Sequence, residues 1–319
     1  MSHNIPVGDV LNEAFQFGLK RWGTVLRLGW APVVVSLLLA GGYFALILDF
    51  EVLSSANESQ TFPGFSEIFK MPVSAVVALG VVFYVLIGLI YCGVMASIFR
   101  LVALGEESPG FIHVRLDGPA WRVFWASIIS ALISLAIWCV AFLIALPITG
   151  NSIGSYLSEA GAAFAGMMAA VESGSEDAAA VHASGMFSYW RTFMYAFAIA
   201  FIPLIYVGVR LQPFIAGSAA ENRLILFGSL KLTEGKFWPV LGAMFLMGLM
   251  IILISIVYEL FSSVIELLMG LGGAGGAFAI IAALMGFIYF AVTVFYYAVV
   301  YGAQLAFSAI IYRRLKTGE

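Results

Sequence analysis

Charge is scarce in this chain. Only 10% of its 319 residues are Asp, Glu, Lys or Arg, against about 25% in soluble domains. So few charged groups cannot cover a fold dissolved in water, and the solvent has to be largely lipid. Cysteine is scarcer: Cys92 and Cys139 both lie inside apolar runs, which excludes a disulfide framework and predicts buried, inert thiols. His3, His113 and His182 are far apart, so no metal constellation follows. A net charge of −3 gives no reason to expect nucleic acid as a partner. Met1-Ser2-His3-Asn4 opens no basic n-region before an apolar stretch, and no cleavable signal peptide is expected. No ionisable residue falls near the middle of an apolar run, which argues against a proton-coupled pump or voltage sensor. Gly270, Gly272 and Gly275 match a GxGxxG spacing, but a helical run precedes them where a dinucleotide site needs a strand. No catalytic, cofactor-binding or metal site is expected, and the chain is not read as an enzyme.

What the chain has is apolar length. Hydrophobic residues make up 62% of it, and crossing the hydrocarbon core takes about 20 of them in a row. Six stretches qualify, at about 24–48, 72–99, 121–148, 188–210, 238–260 and 277–311. The fifth continues towards Glu259 and Glu266, and the last is long enough to leave the membrane as a helix. The expected fold is all-α and polytopic, with about six transmembrane helices forming a single membrane domain over 1–319.

Basic residues set the orientation. With the N-terminus inside, every Lys and Arg falls on the inner side except Lys70 and Arg191. Asp49, Glu51, Glu58, Glu67, Glu159, Glu172, Glu176, Asp177, Glu259 and Glu266 fall outside. Trp22, Trp30, Trp121 and Trp238 sit near inner ends of odd-numbered spans and Trp190 near an outer end, depths where an amphipathic ring is comfortable. Both termini are expected in the cytoplasm.

The odd-numbered spans share preludes. Phe17-Gly18-Leu19-Lys20-Arg21-Trp22 precedes the first. Phe227-Gly228-Ser229-Leu230-Lys231, then Gly235-Lys236-Phe237-Trp238, precedes the fifth. Arg115-Leu116-Asp117-Gly118-Pro119-Ala120-Trp121 is a fainter version before the third. The tryptophans at 22, 121 and 238 suggest three helical hairpins, each after an interfacial helix, with pseudo-repeats of about 5–105, 106–210 and 211–319. In the first prelude Val7, Val10, Leu11, Ala14, Phe15, Leu19 and Trp22 share one helical face. Such a helix should lie in the inner interface as a collar under the bundle, or alternatively as a lipid sensor or partner dock.

The stretch from Val209-Arg210-Leu211 through Ser229-Leu230-Lys231-Leu232-Thr233-Glu234-Gly235-Lys236-Phe237-Trp238 resembles the membrane domain fused to some bacterial glycerophosphoryl diester phosphodiesterases, and related stand-alone inner-membrane proteins. The resemblance implies a bacterial inner membrane and lipid-related biology. It transfers no hydrolase activity, because no segment is polar and long enough to hold that domain.

Three features are candidates for function. In the sixth span Tyr289, Thr293, Tyr296, Tyr297, Tyr301, Gln304 and Ser308 recur at helical spacing, as a cavity wall for an amphipathic ligand or as packing with shared hydrogen bonds. Pro203 interrupts the fourth span and predicts a kink. In the polar stretch 149–187, Tyr156, Leu157, Ala160, Phe164, Met167, Met168 and Val171 share a face, as an outer interfacial helix or a flap. The expectation is a non-catalytic protein that handles lipid or organises the membrane, with membrane lipids as partners. A permease or exporter of an amphipathic or neutral molecule, or a subunit of a larger membrane complex, are the alternatives.

Overall fold

The computed structural model describes residues 6–49, 70–107, 115–158, 161–162, 166, 176–270 and 277–318. Seven principal helices occur among them: α1 (Val7–Ile47), α2 (Val73–Leu104), α3 (Gly118–Ile148), α4 (Glu176–Ala220), α5 (Leu226–Leu232), α6 (Phe237–Gly270) and α7 (Ala277–Thr317). All but α5 are long and apolar enough to cross a membrane. The chain is an all-α polytopic membrane protein. In each span no more than 22% of the most apolar stretch is buried, and side chains such as Leu38, Tyr84, Ile202 and Phe287 stand exposed. That much uncovered apolar surface is tolerable only when the surroundings are apolar.

The chain forms two compact units. One comprises residues 1–35, 87–127 and 209–319; the other comprises 36–86 and 128–208. In the first, Val25, Leu28, Ile98 and Ala298 form a core with Phe17, Val94 and Leu305 against it. Small residues let helices approach here, as they do generally in lipid. A Cβ on Gly302 would meet Val25 Cγ2 at 2.9 Å, and one on Gly18 would meet Ala303 Cβ at 3.3 Å. In the second unit Tyr43 stacks on Phe83 with ring centroids 4.9 Å apart. Thr149 and Thr192 share a hydrogen bond of 2.9 Å, and Arg191 donates to the Thr149 carbonyl.

α6 and α7 form an antiparallel pair. As α6 advances through Ser255, Tyr258 and Ser262, their partners on α7 step back through Tyr296, Thr293 and Tyr289, at 2.7, 2.9 and 3.2 Å. Tyr258 stacks on Tyr296 at 4.1 Å.

The structure alters several expectations. α1 kinks at Arg21, which has non-helical φ −112° and ψ 15°. The segment before it is the expected prelude helix, with Val10, Ala14 and Phe15 of its apolar face buried and Leu19 and Trp22 exposed. Gly18 lies on the same face and packs against Val299 and Ala303 of α7. α4 begins at Glu176 and stays helical through Pro203. The helix extends beyond the expected span of 188–210 at both ends. Cys92 is buried, but Cys139 is exposed rather than buried, on a lipid-facing side of α3. In the stretch 149–187 a short helix covers 153–158, and Phe164, Met167, Met168 and Val171 lie outside the described residues. So do the Gly272–Gly275 turn, His3 and His113.

Gly93 tests the packing of the first unit. A Cβ there would run into the Arg115 carbonyl oxygen, whereas one on Gly23 meets nothing within 4 Å. Gly93→Ala is expected to cost about 1–3 kcal/mol, as overpacking against backbone does, and Gly23→Ala to change little. Melting in detergent checks this; equal melting temperatures for the two variants would refute the close approach.

Candidate functional site

Helices α2 and α4 end in the first unit, and each ending leaves carbonyls without intrahelical donors. Arginines supply them. Arg313 Nη1 donates to the Val102 carbonyl at 3.2 Å, and Arg100 Nη1 donates to the Ala219 carbonyl at 3.0 Å. Cations at helix C-termini also complement the dipole. Gly105, at φ +72°, closes α2 by donating to the Leu101 carbonyl, the usual task of glycine there.

The same region collects the acids of the basic side. Glu13 pairs with both Arg313 and Arg314, the latter at 3.2 Å. Arg21 reaches Glu107 at 3.0 Å, Arg100 holds Glu106 through two nitrogens, and Arg115 holds Asp117. Glu221 accepts from Tyr312 at 2.7 Å, from Lys316 at 2.9 Å and from Arg223 at 2.8 Å. All of these pairs lie in the first unit. Partly exposed pairs of this kind contribute about 0–1 kcal/mol each. Glu13 therefore fixes the register of α1 against α7, and packing at Gly18 supplies most of the cohesion.

One cavity opens between the prelude segment of α1, the end of α2 and the last turns of α7, and a second lies between α1, α2 and Glu107. The larger holds about 310 Å³. Its polar lining is Glu13, Gln16, Lys20, Arg21 and Arg313, and its apolar lining is Phe17, Leu101, Val102 and Ile310. The smaller, about 100 Å³, shares Arg21 and Leu101 and adds Thr24, Arg27, Ser97 and Glu107. Lys20 is exposed, and its ammonium donates to Gln16 at 3.1 Å.

The tyrosine stripe is divided. Tyr289, Thr293 and Tyr296 bond to α6, and Ser308 accepts from Gln212 of α4 at 2.9 Å. Tyr297, Tyr301 and Gln304 are exposed on α7. Pro203 is exposed on α4. Among the described residues no three His, Cys, Asp or Glu side chains come close enough to hold a metal.

The Ser-Leu-Lys-Leu-Thr-Glu-Gly-Lys-Phe-Trp stretch has a structural explanation. Ser229 and Thr233 are fully buried. The Thr233 hydroxyl donates to the Ser229 carbonyl at 3.0 Å and closes α5. Gly235, at φ +70°, makes the turn into α6 that glycine favours. The cavities were not visible in the sequence, because Glu13 and Arg313 are separated by almost the whole chain. The one available signal was that Glu13, Glu106, Glu107 and Glu221 are among the acids that fall on the basic side. Comparisons with models of protein families, with curated proteins and with solved structures find no match, so function has to be argued from the chain's own residues.

Glu221 gives this end a measurable pH response. Burial pushes its carboxyl up, but the hydrogen bonds from Tyr312, Lys316 and Arg223 together outweigh that and hold it down at about 2. A carboxyl lowered in the folded state stabilises it above the ordinary carboxylate range, and that contribution disappears as pH falls from 4.5 towards about 2. Glu221→Gln is expected to melt lower than the unsubstituted protein at pH 7, with the gap narrowing towards pH 3. Thermal unfolding across that range measures it; a gap independent of pH would contradict the assignment.

Proposed function

We propose that this chain is a non-catalytic membrane protein that handles or organises lipid, with its basic end and both termini facing the cytoplasm of a bacterial inner membrane. One observation carries the reading. At the end of the first unit an amphipathic segment of α1 is held against α7, and beside it lies a cavity lined by both cations and apolar side chains. That is the chemistry of a phospholipid at its headgroup boundary, where apolar helix faces and basic side chains work together.

Three further points support it. Glu13 and Arg313 meet, which brings the first and last helices to one end, as an even number of spans requires. All but two of the 15 basic residues fall on the inner side in this orientation, as they do in cytoplasmic loops. The resemblance of the Ser229–Trp238 stretch to the phosphodiesterase-linked membrane domain adds the bacterial inner-membrane setting. A permease draws less support, because Tyr289, Thr293 and Tyr296 are engaged with α6 instead of lining an open path.

Native mass spectrometry of the gently solubilised protein tests the lipid reading. Bound phospholipid is the expected result; a lipid-free protein whose melting temperature is unchanged by added phospholipid would dispose of it. Orientation has its own check. Small epitope tags at the two ends should both be reached only after the cytoplasmic face is opened, and tags reached from opposite faces would overturn the topology.

A further inference from the structure

We infer that the larger cavity is a binding site for the phosphate of an anionic phospholipid, with Lys20 as its main cation and Arg21 and Arg313 beside it. The inference rests on the lipid-handling reading and narrows it to one site and one headgroup charge.

The argument begins with which charges are already engaged. Glu13 is the one carboxylate lining this cavity, and it is held by both Arg313 and Arg314. The nearby Glu107 is held by Arg21. Neither acid is left to receive the ammonium of a zwitterionic headgroup. The cations are in a different position. Lys20 has a neutral amide from its own helix as hydrogen-bond acceptor, and it forms no salt bridge among the described residues. Arg21 and Arg313 each carry several N–H donors and stand in the same lining. With Glu107 counted beside Glu13, the three cations keep one positive charge in excess, carried by Lys20, and a phosphate is the anion that Lys and Arg bind best together.

The apolar part of the lining decides between a lipid and a soluble phosphate. Phe17, Leu101, Val102 and Ile310 line the same space. They would do nothing for a free ion but would cover the first methylenes of an acyl chain. The site sits where α1 kinks at Arg21, beside the last turn of α2, which is headgroup depth for helices that end there. At about 310 Å³ the cavity matches the lower end of ligand-binding pockets, about 300–1,000 Å³.

The experiment uses the full chain in detergent with an equimolar mixture of dioleoyl phosphatidylglycerol and dioleoyl phosphatidylcholine. Native mass spectrometry counts each lipid retained on the unsubstituted protein, Lys20→Gln, Lys20→Arg and Lys231→Gln. Lys231 is exposed at the same basic end and lies outside the cavity. Phosphatidylglycerol should be retained in preference to phosphatidylcholine. Lys20→Gln should weaken it about fivefold, the effect of one basic charge near an anionic surface, Lys20→Arg should restore it, and Lys231→Gln should leave it unchanged.

Lys20 is exposed and makes one hydrogen bond within its own helix, so the glutamine variant is expected to melt with the unsubstituted protein. If it did not, the arginine variant and the headgroup preference of the unsubstituted protein would still decide. Equal retention of the two lipids, or a preference untouched by Lys20→Gln, would overturn this inference and leave the lipid reading standing. Retention of neither lipid would remove both. A parallel arm adds inorganic phosphate alone; stabilisation equal to that from phosphatidylglycerol would assign the site to a soluble anion and overturn the lipid assignment.

Discussion

Hydrocarbon neither donates nor accepts a hydrogen bond, and the rest of this structure follows from that. Along the spans a polar side chain gains by finding a partner within the protein or turning back on its own helix, although the hydroxyls of Ser36 and Ser130 are buried without one among the described residues. Ser97 donates to the Gly93 carbonyl, Ser134 to Ser130 and Thr149 to Ala145. Where two helices carry hydroxyls at matching levels they satisfy each other, as α6 and α7 do three times over. Charges obey the same rule more strictly. They gather where the helices of the first unit end, the carbonyls freed by those endings take up arginine donors, and the carboxylates take up the rest.

That constraint also determines what can be read from a sequence. The number of spans was legible, because an apolar run of sufficient length has few other uses. The stripe from Tyr289 to Ser308 was legible too, because the helical period alone places those residues together. The partner helix was not legible. Ser255, Tyr258 and Ser262 share the same period on α6, but nothing local says that they face Tyr296, Thr293 and Tyr289. The contact made by the α1 prelude was not legible for a related reason. Apolar spacing places Val10, Ala14 and Phe15 on one face, but the close approach to α7 is at Gly18, a residue with no side chain to count. In lipid, closeness of approach outweighs apolar area, since an exposed leucine there costs nothing.

The candidate site was the least legible part. Its residues come from the first helix, the end of the second and the last turns of the seventh, and Glu13 and Arg313 lie near opposite ends of the sequence. The positive-inside rule treats basic residues as markers of a side and says nothing about their partners. Here several have a second task. Arg100 and Arg313 close helix ends and also hold Glu106 and Glu13, and Arg21 holds Glu107. Lys20 stands apart from them, in a lining that is partly apolar and with a neutral amide as its hydrogen-bond acceptor.

A difference in energy between the two regions bears on whether this protein moves a solute or holds a lipid. Separating α6 from α7 would break three interhelical hydrogen bonds in a medium that replaces none of them, at about 0.6–2 kcal/mol each, together with the Tyr258–Tyr296 stack. That pair is suited to moving as one body, and a route for a solute between the two helices would need them apart. The ion pairs at the basic end are partly exposed and contribute about 0–1 kcal/mol each, so an incoming phosphate can exchange with a carboxylate at little cost. The rigid polar contacts lie where a carrier would have to open, and the exchangeable ones lie where a headgroup would have to enter.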